Sequence, residues 1–150
     1  ILNGAGVVLA DAFSDVAALA ERLDAPVCVG YQHNDAFPGS HPLFAGPLGY
    51  NGSKAGMELI SKADVVLALG TRLNPFSTLP GYGIDYWPTG AKIIQVDINP
   101  DRIGLTKPVA VGIIGDATKV AQGILSRLSA TAGNAGRDAR KNLIATTKTA

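Results

Sequence analysis

The motif Asn3-Gly4-Ala5-Gly6 is the first segment of this 150-residue chain whose residue types and spacing could support chemistry. Glycines that follow a short apolar run let the backbone approach a phosphate closely, as in dinucleotide-binding turns. The third glycine of that fingerprint is missing, because Leu9 stands in its place, and Val29-Gly30 ends the next apolar run where an acidic residue would bind a ribose. The motif therefore argues against a nicotinamide enzyme. It favours tight packing between strand and helix as the role of Gly4 and Gly6.

A second glycine-rich segment, Gly49-Tyr50-Asn51-Gly52-Ser53-Lys54, precedes a predicted helix and could offer backbone N–H groups to an anion. Its order is Gly-Ser-Lys, whereas a P-loop requires Gly-Lys-Ser, and Gly46 lies one residue too far upstream. ATP hydrolysis is therefore rejected. A capped helix start explains the segment as well as an anion site does.

Polar groups also end two other apolar runs. Arg72, in Gly70-Thr71-Arg72, could clamp a phosphate or carboxylate with two N–H groups, or it could pair with a structural carboxylate. Asp97 could accept a hydrogen bond from a ribose hydroxyl, but a cap on the turn Pro100-Asp101-Arg102 is the favoured interpretation. Both alternatives stay open for Arg72.

Acid–base, zinc and hydrolase chemistry have little support. His33 and His41 are the only histidines, and neither has Cys28 or a carboxylate at metal-ligand spacing. A structural imidazole is favoured for each, because nothing nearby would orient either ring as a base. Ser53 and Ser77 have no adjacent His–Asp arrangement, so a hydrolase is not indicated.

The segment Gly115-Asp116-Ala117 is similar to the Gly-Asp-Gly motif with which thiamine diphosphate enzymes hold Mg²⁺. However, Ala117 replaces the required glycine, and the downstream Asn142 lies in a polar segment beside Arg140 and Lys141. Asp116 is therefore predicted to cap a helix, and no metal site is predicted.

Short apolar runs that alternate with amphipathic segments must position these residues. The predicted strands are Ile1-Leu2, Pro26 to Val29, Val65 to Leu69, Lys92 to Ile98 and Val109 to Ile114. Helices are predicted from Ala12 to Leu23, from Ser53 to Lys62 and from Asp116 to Leu128, with Asp11 and Asp116 as N-caps. This alternation predicts an α/β fold: an open, doubly wound, mostly parallel sheet of about five to six strands, with helices on both faces.

Two long connections, Tyr31 to Tyr50 and Arg72 to Gly90, follow the carboxyl ends of predicted strands, where open sheets place ligands. We therefore favour a functional or interface role for them over simple coverage of the sheet edge. Residues 1–130 are predicted to form one domain, and 131–150 a linker with a polar helix toward a further domain. The start at Ile1 in mid-strand indicates a piece of a larger protein.

Composition narrows the possible classes further. The chain is 47% hydrophobic and 17% charged with a net charge of +1, which disfavours binding to nucleic acid or to a membrane surface. No apolar run approaches the roughly 20 residues of a membrane span. The single Cys28 cannot form an internal disulfide, which fits a cytoplasmic location.

As an ordered set, eight motifs resemble the central domain of thiamine diphosphate-dependent enzymes of the acetolactate synthase superfamily. They are Asn3–Gly6, Ala25–Val27, His41–Gly46, Leu48–Gly52, Ala63–Leu67, Gly70–Arg72, Ile94–Pro100 and Val111–Asp116. The resemblance extends to about Leu128. Within this superfamily, the loops Tyr31–Pro42 and Asn74–Gly83 are most similar to those of sulfoacetaldehyde acetyltransferases.

The resemblance implies a nucleotide-binding-like central domain between two flanking domains, in an enzyme that is a homo-oligomer. The family's catalytic Glu and its Mg²⁺ motif belong to the flanking domains, so thiamine diphosphate and Mg²⁺ are expected outside this chain, which is expected to be inactive alone. The implied acyltransferase converts sulfoacetaldehyde and phosphate into acetyl phosphate and sulfite. Because both substrates are anions, His33, His41 and Arg72 are candidates at the mouth of the active site.

The resemblance also raises the question of a nucleotide. Acetolactate synthases hold FAD in this domain through segments that are matched here by Gly4, Gly6, Gly49, Gly52, Gly70, Arg72 and Asp97. After Arg72 an acidic pair followed by Arg is typical, whereas Leu73-Asn74-Pro75-Phe76 stand here, so FAD is doubtful and a vestigial or empty pocket is preferred. Three alternatives remain: a pyruvate-condensing, acetolactate synthase-like enzyme with FAD, a stand-alone nucleotide-binding module related to electron-transfer flavoprotein or sirtuin-type domains, and a structural spacer that supports a dimer.

Overall fold

The computed structural model describes residues 1–149, which form six strands and five α-helices. The elements are β1 (Leu2–Asn3), α1 (Ala5–Leu9), α2 (Phe13–Leu23), β2 (Val27–Val29), β3 (Phe44–Pro47), α3 (Lys54–Ile60), β4 (Val65–Leu69), β5 (Lys92–Asp97), β6 (Val111–Ile114), α4 (Ala117–Arg127) and α5 (Arg137–Thr149). Two short 3₁₀ turns, Pro75–Ser77 and Pro100–Arg102, follow β4 and β5.

The six strands form one parallel sheet in the order β3-β2-β1-β4-β5-β6. From β1 the chain winds outward through β2 and β3, and it then returns to the other side of β1 with β4. This arrangement confirms the predicted doubly wound α/β fold. The boundary between β1 and β4 is its topological switch point, the place where open parallel sheets bind ligands.

Two apolar cores lie on the two faces of the sheet. Leu67 and Leu69 of β4 pack into the core formed with α1, α2 and α4, whereas Val66 and Ala68 pack into the core on the side of α3 and α5. Burial on both faces explains why the strands are continuous apolar runs. Each fully buried leucine contributes roughly 1.5–3 kcal/mol to this packing.

The structure contains two elements that the apolar pattern does not predict. Strand β3 lies inside the first long connection, where Gly46 and Pro47 interrupt any strand pattern in the sequence. Its register against β2 shifts between Val27 and Cys28. Helix α1 begins directly after Gly4, inside the glycine motif. Both elements are short, so their sequences carry little periodicity.

One of the two predicted helix N-caps is correct, and α3 has a cap of its own. Asp116 Oδ1 accepts from the Lys119 N–H at 3.1 Å, which confirms the cap on α4. Ser53 Oγ accepts from the Gly56 N–H at 3.2 Å at the start of α3. The prediction that Asp11 caps α2 is wrong: Ala12 holds that position without a side-chain bond, and Asp11 adopts a φ of 51° in the reversal that joins α1 to α2.

Helix α5 covers one face of the domain and packs against α3. Its Ile144 is buried, and Arg137 Nε lies 2.6 Å from Asp24 Oδ2. Arg137 and Arg140 also donate to the carbonyls of Arg22 and Leu23, the last residues of α2, which have no partner within that helix. The predicted polar helix is therefore docked on the domain, and its connection to a further domain stays a prediction. No helix in the described part of the chain is long and apolar enough to cross a membrane.

Candidate functional site

The two loops at the switch point touch through their glycines. The Gly6 N–H donates to the Gly70 carbonyl at 2.9 Å, and the Gly4 N–H donates to the Leu69 carbonyl at 3.0 Å. A Cβ on Gly6 would lie 2.5 Å from Gly70 Cα, and Gly70 adopts a φ of +58°, where a side chain is disfavoured. This contact confirms the packing role predicted for Gly4 and Gly6, whereas a role in ligand binding stays a prediction.

The second long connection crosses the carboxyl ends of β1, β2 and β3. Ser77 lies over Gly30, and the Tyr50 N–H donates to the Phe76 carbonyl at 3.0 Å. A side chain on Gly49 would collide with that same carbonyl. Coverage of the sheet, the interpretation that was not favoured, is therefore at least part of this loop's role, because the loop lies across the strand ends on the β3 side of the switch point.

Tyr86 and Tyr82 hold this crossing loop in place. The Tyr86 hydroxyl donates to the Ser77 carbonyl at 3.2 Å, and the ring is fully buried. Burial raises the pKa of Tyr86 to about 12, so the phenol stays protonated and keeps its donor. The Tyr82 hydroxyl donates to the Gly52 carbonyl at 3.1 Å and ties the loop to the segment before α3.

The glycine-rich segment before α3 uses its own donors. The Gly52 N–H binds the Gly49 carbonyl at 2.8 Å, and the Ser53 N–H binds the Pro47 carbonyl at 2.6 Å. With the Gly56 N–H bound to Ser53 Oγ, three donors that an anion would use are already occupied. Of the two interpretations left open above, the structure favours the capped helix start.

Asn3 is the buried polar side chain at the end of β1. Its Nδ2 donates to the Ala36 carbonyl at 3.0 Å and so fixes the loop that follows β2. Its Oδ1 has no hydrogen-bond partner within residues 1–149. One ordered water can satisfy a single buried acceptor of this kind.

Arg72 follows β4 at the switch point, with a fixed backbone and an exposed side chain. Thr71 Oγ1 accepts from the Leu73 N–H at 3.1 Å, and Leu73 is fully buried with a φ of +55°. Across residues 1–149 the guanidinium of Arg72 makes neither an ion pair nor a side-chain hydrogen bond. An exposed guanidinium in this position can receive a phosphate or a sulfonate with two parallel N–H groups.

Asp97 ends β5 at the same edge of the sheet and is buried. Its Oδ1 accepts from the Asn99 N–H at 2.9 Å, and Asn99 Oδ1 in turn accepts from the Asp101 N–H at 3.0 Å. The prediction that Asp97 caps the turn Pro100–Arg102 is therefore wrong, since Asn99 is the cap. The carboxylate of Asp97 instead holds the residue that makes the cap.

The two histidines lie at opposite ends of the strands, His33 at the carboxyl ends and His41 at the amino ends. His33 follows β2 and shares an edge with Arg72, and its Nδ1 lies 4.0 Å from Asp35 Oδ1. His41 precedes β3, where its Nδ1 accepts from the Leu43 N–H at 3.1 Å and its Nε2 lies 3.0 Å from Glu21 Oε1. Because Nδ1 is an acceptor, the proton of the neutral ring lies on Nε2, which donates a hydrogen bond to Glu21 Oε1. This arrangement confirms a structural role for His41 and does not bring it to Arg72.

Asp116 and Asn142, the two residues similar in type to the family's Mg²⁺ ligands, do not come together in the described structure. Within residues 1–149 no group of three or more His, Cys, Asp or Glu side chains could hold a metal ion. The carboxylate of Asp116 is engaged as a helix cap. Asn142 belongs to α5, which packs on the opposite face of the sheet from α4.

Two buried or half-buried polar residues, Gln95 and Thr106, belong to this edge and are absent from the sequence prediction. Both donate to backbone carbonyls of the loop that carries Arg72. For Gln95 a signal was available, because an amide interrupts the apolar run Lys92–Asp97 at a position that faces a core. For Thr106 the sequence offers no signal, since its partners lie more than thirty residues away.

Comparison with known proteins separates two groups of relatives. The family model of the thiamine pyrophosphate enzyme central domain matches residues 1–124. A sulfoacetaldehyde acetyltransferase from Roseovarius nubinhibens is 81% identical over 150 residues, which is the whole of this chain and 25% of that protein. One from Rhodobacter capsulatus is 76% identical over 148 residues, covering 99% of this chain and 25% of that protein.

The second group is more distant. A probable acetolactate synthase large subunit from Methanocaldococcus jannaschii is 37% identical over 130 residues, covering 87% of this chain and 22% of that protein. The chain thus spans about a quarter of the length of the curated relatives it matches. The family model covers most of the chain, and the doubly wound fold agrees with it. The chain therefore belongs to the central-domain family of thiamine pyrophosphate enzymes.

Proposed function

We propose that this chain is the central domain of a thiamine diphosphate-dependent sulfoacetaldehyde acetyltransferase, which converts sulfoacetaldehyde and phosphate into acetyl phosphate and sulfite. The observation that carries the proposal is the 81% identity over the whole chain to a protein of that activity. The acetolactate synthase alternative has a weaker basis, with 37% identity over a shorter stretch.

In this proposal the chain supports the reaction and does not perform it. Thiamine diphosphate supplies the carbanion chemistry in enzymes of this family, while the protein positions the reactants and manages charge. In this proposal flanking domains hold the cofactor and Mg²⁺, which is supported by the engagement of the Asp116 carboxylate as a helix cap. The contribution of this chain is a rigid sheet whose carboxyl edge presents Arg72 and His33 toward anionic reactants.

We further propose that the domain carries no flavin. Gly6 and Gly70 are needed for direct contact between two loops, and Gly49 is needed for the crossing loop, so these glycines have a structural purpose without a nucleotide. Downstream of Arg72, Leu73 is buried in a strained backbone conformation where the acetolactate synthases have an acidic residue. The purified full-length protein is denatured, and the supernatant is examined for flavin absorbance. Bound FAD would contradict this proposal and support the acetolactate synthase alternative.

The remaining parts of the proposal concern assembly and location. A homo-oligomer is expected, because enzymes of this family bind the cofactor between subunits, and sedimentation of the full-length protein measures its size. A cytoplasmic location is expected because Cys28 is a buried free thiol. Fractionation of cells that express the full-length protein checks that location.

The activity test uses the full-length protein with thiamine diphosphate, Mg²⁺ and phosphate. Sulfoacetaldehyde is added, and sulfite and acetyl phosphate are quantified, with one control that lacks phosphate and a parallel reaction with pyruvate. Phosphate-dependent release of both products supports the acetyltransferase. Acetolactate from pyruvate without any sulfite would contradict it and support the pyruvate-condensing enzyme.

A further inference from the structure

Gln95 is a fully satisfied amide buried beneath the edge of the sheet, with 1% of its surface exposed. Its Nε2 donates to the carbonyls of Thr71 at 3.1 Å and of Arg102 at 3.0 Å. Its Oε1 accepts from the Gly104 N–H at 2.8 Å. One side chain on β5 therefore joins the loop that follows β4 to the loop that follows β5 itself.

Thr106 makes a second connection between the same two loops. Its Oγ1 lies 3.1 Å from the Arg72 carbonyl and 2.8 Å from the Leu73 carbonyl, so the hydroxyl donates to this pair. Together with the Thr71 Oγ1 bond to the Leu73 N–H, these contacts fix the backbone on both sides of Arg72.

The conformation held by these bonds is unusual. Leu73 is a bulky, buried residue with a φ of +55°, in the left-handed region that favours glycine. Such strain persists only where the surrounding contacts over-determine the backbone, and it clusters at functional sites. The residue next to it, Arg72, is the exposed one, and its guanidinium has no partner among residues 1–149.

We propose that Gln95 and Thr106 are positioning residues that hold the loop so that Arg72 receives an anionic group, a phosphate or a sulfonate, of a reactant. The inference rests on the proposed function, because that function supplies the two anions. Neither residue touches a reactant in this scheme. Both act through the main chain of residues 71–73, and Arg72 makes the contact.

The test uses the full-length enzyme and a double-mutant cycle. Arg72→Met is expected to raise the KM of one anionic substrate by about 10- to 100-fold, the range of a lost charge-assisted hydrogen bond. Gln95→Met and Thr106→Val are each expected to raise the same KM by about threefold or more, with kcat within about twofold. In the Arg72→Met background the two substitutions should then have no further effect on that KM.

Matched controls separate positioning from general destabilisation. Gln122→Met removes an exposed amide that bonds Asp15, and Thr118→Val removes a hydroxyl that bonds the Ala10 carbonyl, both away from Arg72. Neither control should change either KM. Thr106→Ser keeps the hydroxyl and should restore the KM of the wild type, which also covers the case in which Gln95→Met fails to fold.

The outcomes distinguish the source of the anion. A raised KM for phosphate identifies the phosphate substrate, and a raised KM for sulfoacetaldehyde identifies its sulfonate. Unchanged values for both, or effects that add in the Arg72→Met background, would overturn the proposal. If the wild type releases no sulfite, the proposed function fails, and the positioning proposal is then tested by titration calorimetry with inorganic phosphate. Loss of phosphate affinity in both Arg72→Met and Thr106→Val supports the proposal. A phosphate affinity that does not depend on Arg72 overturns it.

Discussion

At the scale of single residues, Gly6 and Gly70 allow the segments that follow β1 and β4 to touch through their backbones. We expect Gly6→Ala to lower the free energy of unfolding by roughly 1–3 kcal/mol, because the new methyl group would meet a backbone Cα at 2.5 Å that cannot move aside as a side chain would. Urea denaturation of the 150-residue chain measures the loss. The matched control is Gly90→Ala, where no atom lies within 4 Å of the added Cβ. Equal stabilities of the two variants would contradict the packing role.

The candidate site was predictable at this scale only where one residue acts within its own loop. Asp116 was identified as a cap because its partner, the Lys119 N–H, is three residues away. Asp97 was misassigned because Asn99, two residues later, competes for the same turn and lies closer to it. The links from Gln95 to Thr71 and from Thr106 to Arg72 cross 24 and 34 residues, and no local pattern encodes such pairs.

At the scale of elements, the long apolar strands were predictable and the short ones were not. Val65–Leu69 is apolar throughout, so its burial on both faces is evident from composition. Phe44–Pro47 forms β3 although Gly46 and Pro47 weaken any strand pattern, because the neighbouring β2 supplies its ladder of hydrogen bonds. Helix α5 was predicted as a helix, but its docking depends on arginine bonds to α2 that only the folded chain brings together.

Arg137 joins α5 to the end of α2, because it contacts both the Asp24 carboxylate and the Arg22 carbonyl. Arg137→Ala should increase hydrogen exchange of the α5 amides by about fivefold or more while α4 stays protected, since the helix itself contributes few buried residues to the core. Exchange measured by mass spectrometry in the 150-residue chain checks this. Arg127→Ala is the control, because its guanidinium bonds only the Gly123 carbonyl of its own helix. Equal protection of α5 in both variants would show that the arginine contacts do not hold it.

At the scale of the whole molecule, the buried thiol of Cys28 makes the free energy of unfolding depend on pH in the alkaline range. Burial raises the pKa of Cys28 from 9.0 to about 11, so the unfolded chain loses this proton first and stability falls as the pH rises above about 9. Between pH 8 and pH 10 the stability advantage of the wild type over Cys28→Ala should shrink by about 1 kcal/mol. Urea denaturation at both pH values measures the difference, which includes the coupling of Cys28 to the Ile1 amine and to Tyr86. A difference that does not change with pH would contradict the buried, protonated thiol.

Catalysis also belongs to the scale of the whole molecule, because the described residues supply a scaffold and an exposed cation but not a set of reacting groups. With thiamine diphosphate, Mg²⁺, phosphate and sulfoacetaldehyde, we expect the 150-residue chain to release no sulfite under conditions in which the proposed full-length acetyltransferase is expected to release it. The physical reason is the donor set: Asp116 is engaged as a cap, and no three metal-ligating side chains cluster anywhere in residues 1–149.

A second readout makes this last prediction independent of turnover. A ligand that binds only the folded state raises the melting temperature, so Mg²⁺ with thiamine diphosphate should leave the Tm of the chain within about 1 °C of its value in NaCl of equal ionic strength. The full-length protein, measured in parallel, should melt several degrees higher with the cofactor than without it. Sulfite from the chain alone, or a Tm rise specific to Mg²⁺ and the cofactor, would place a cofactor site at an edge of the sheet where the carboxylates of Asp97 and Asp116 already accept backbone hydrogen bonds. That outcome would require the edge around Arg72, Asp97 and Asp116 to rearrange on binding.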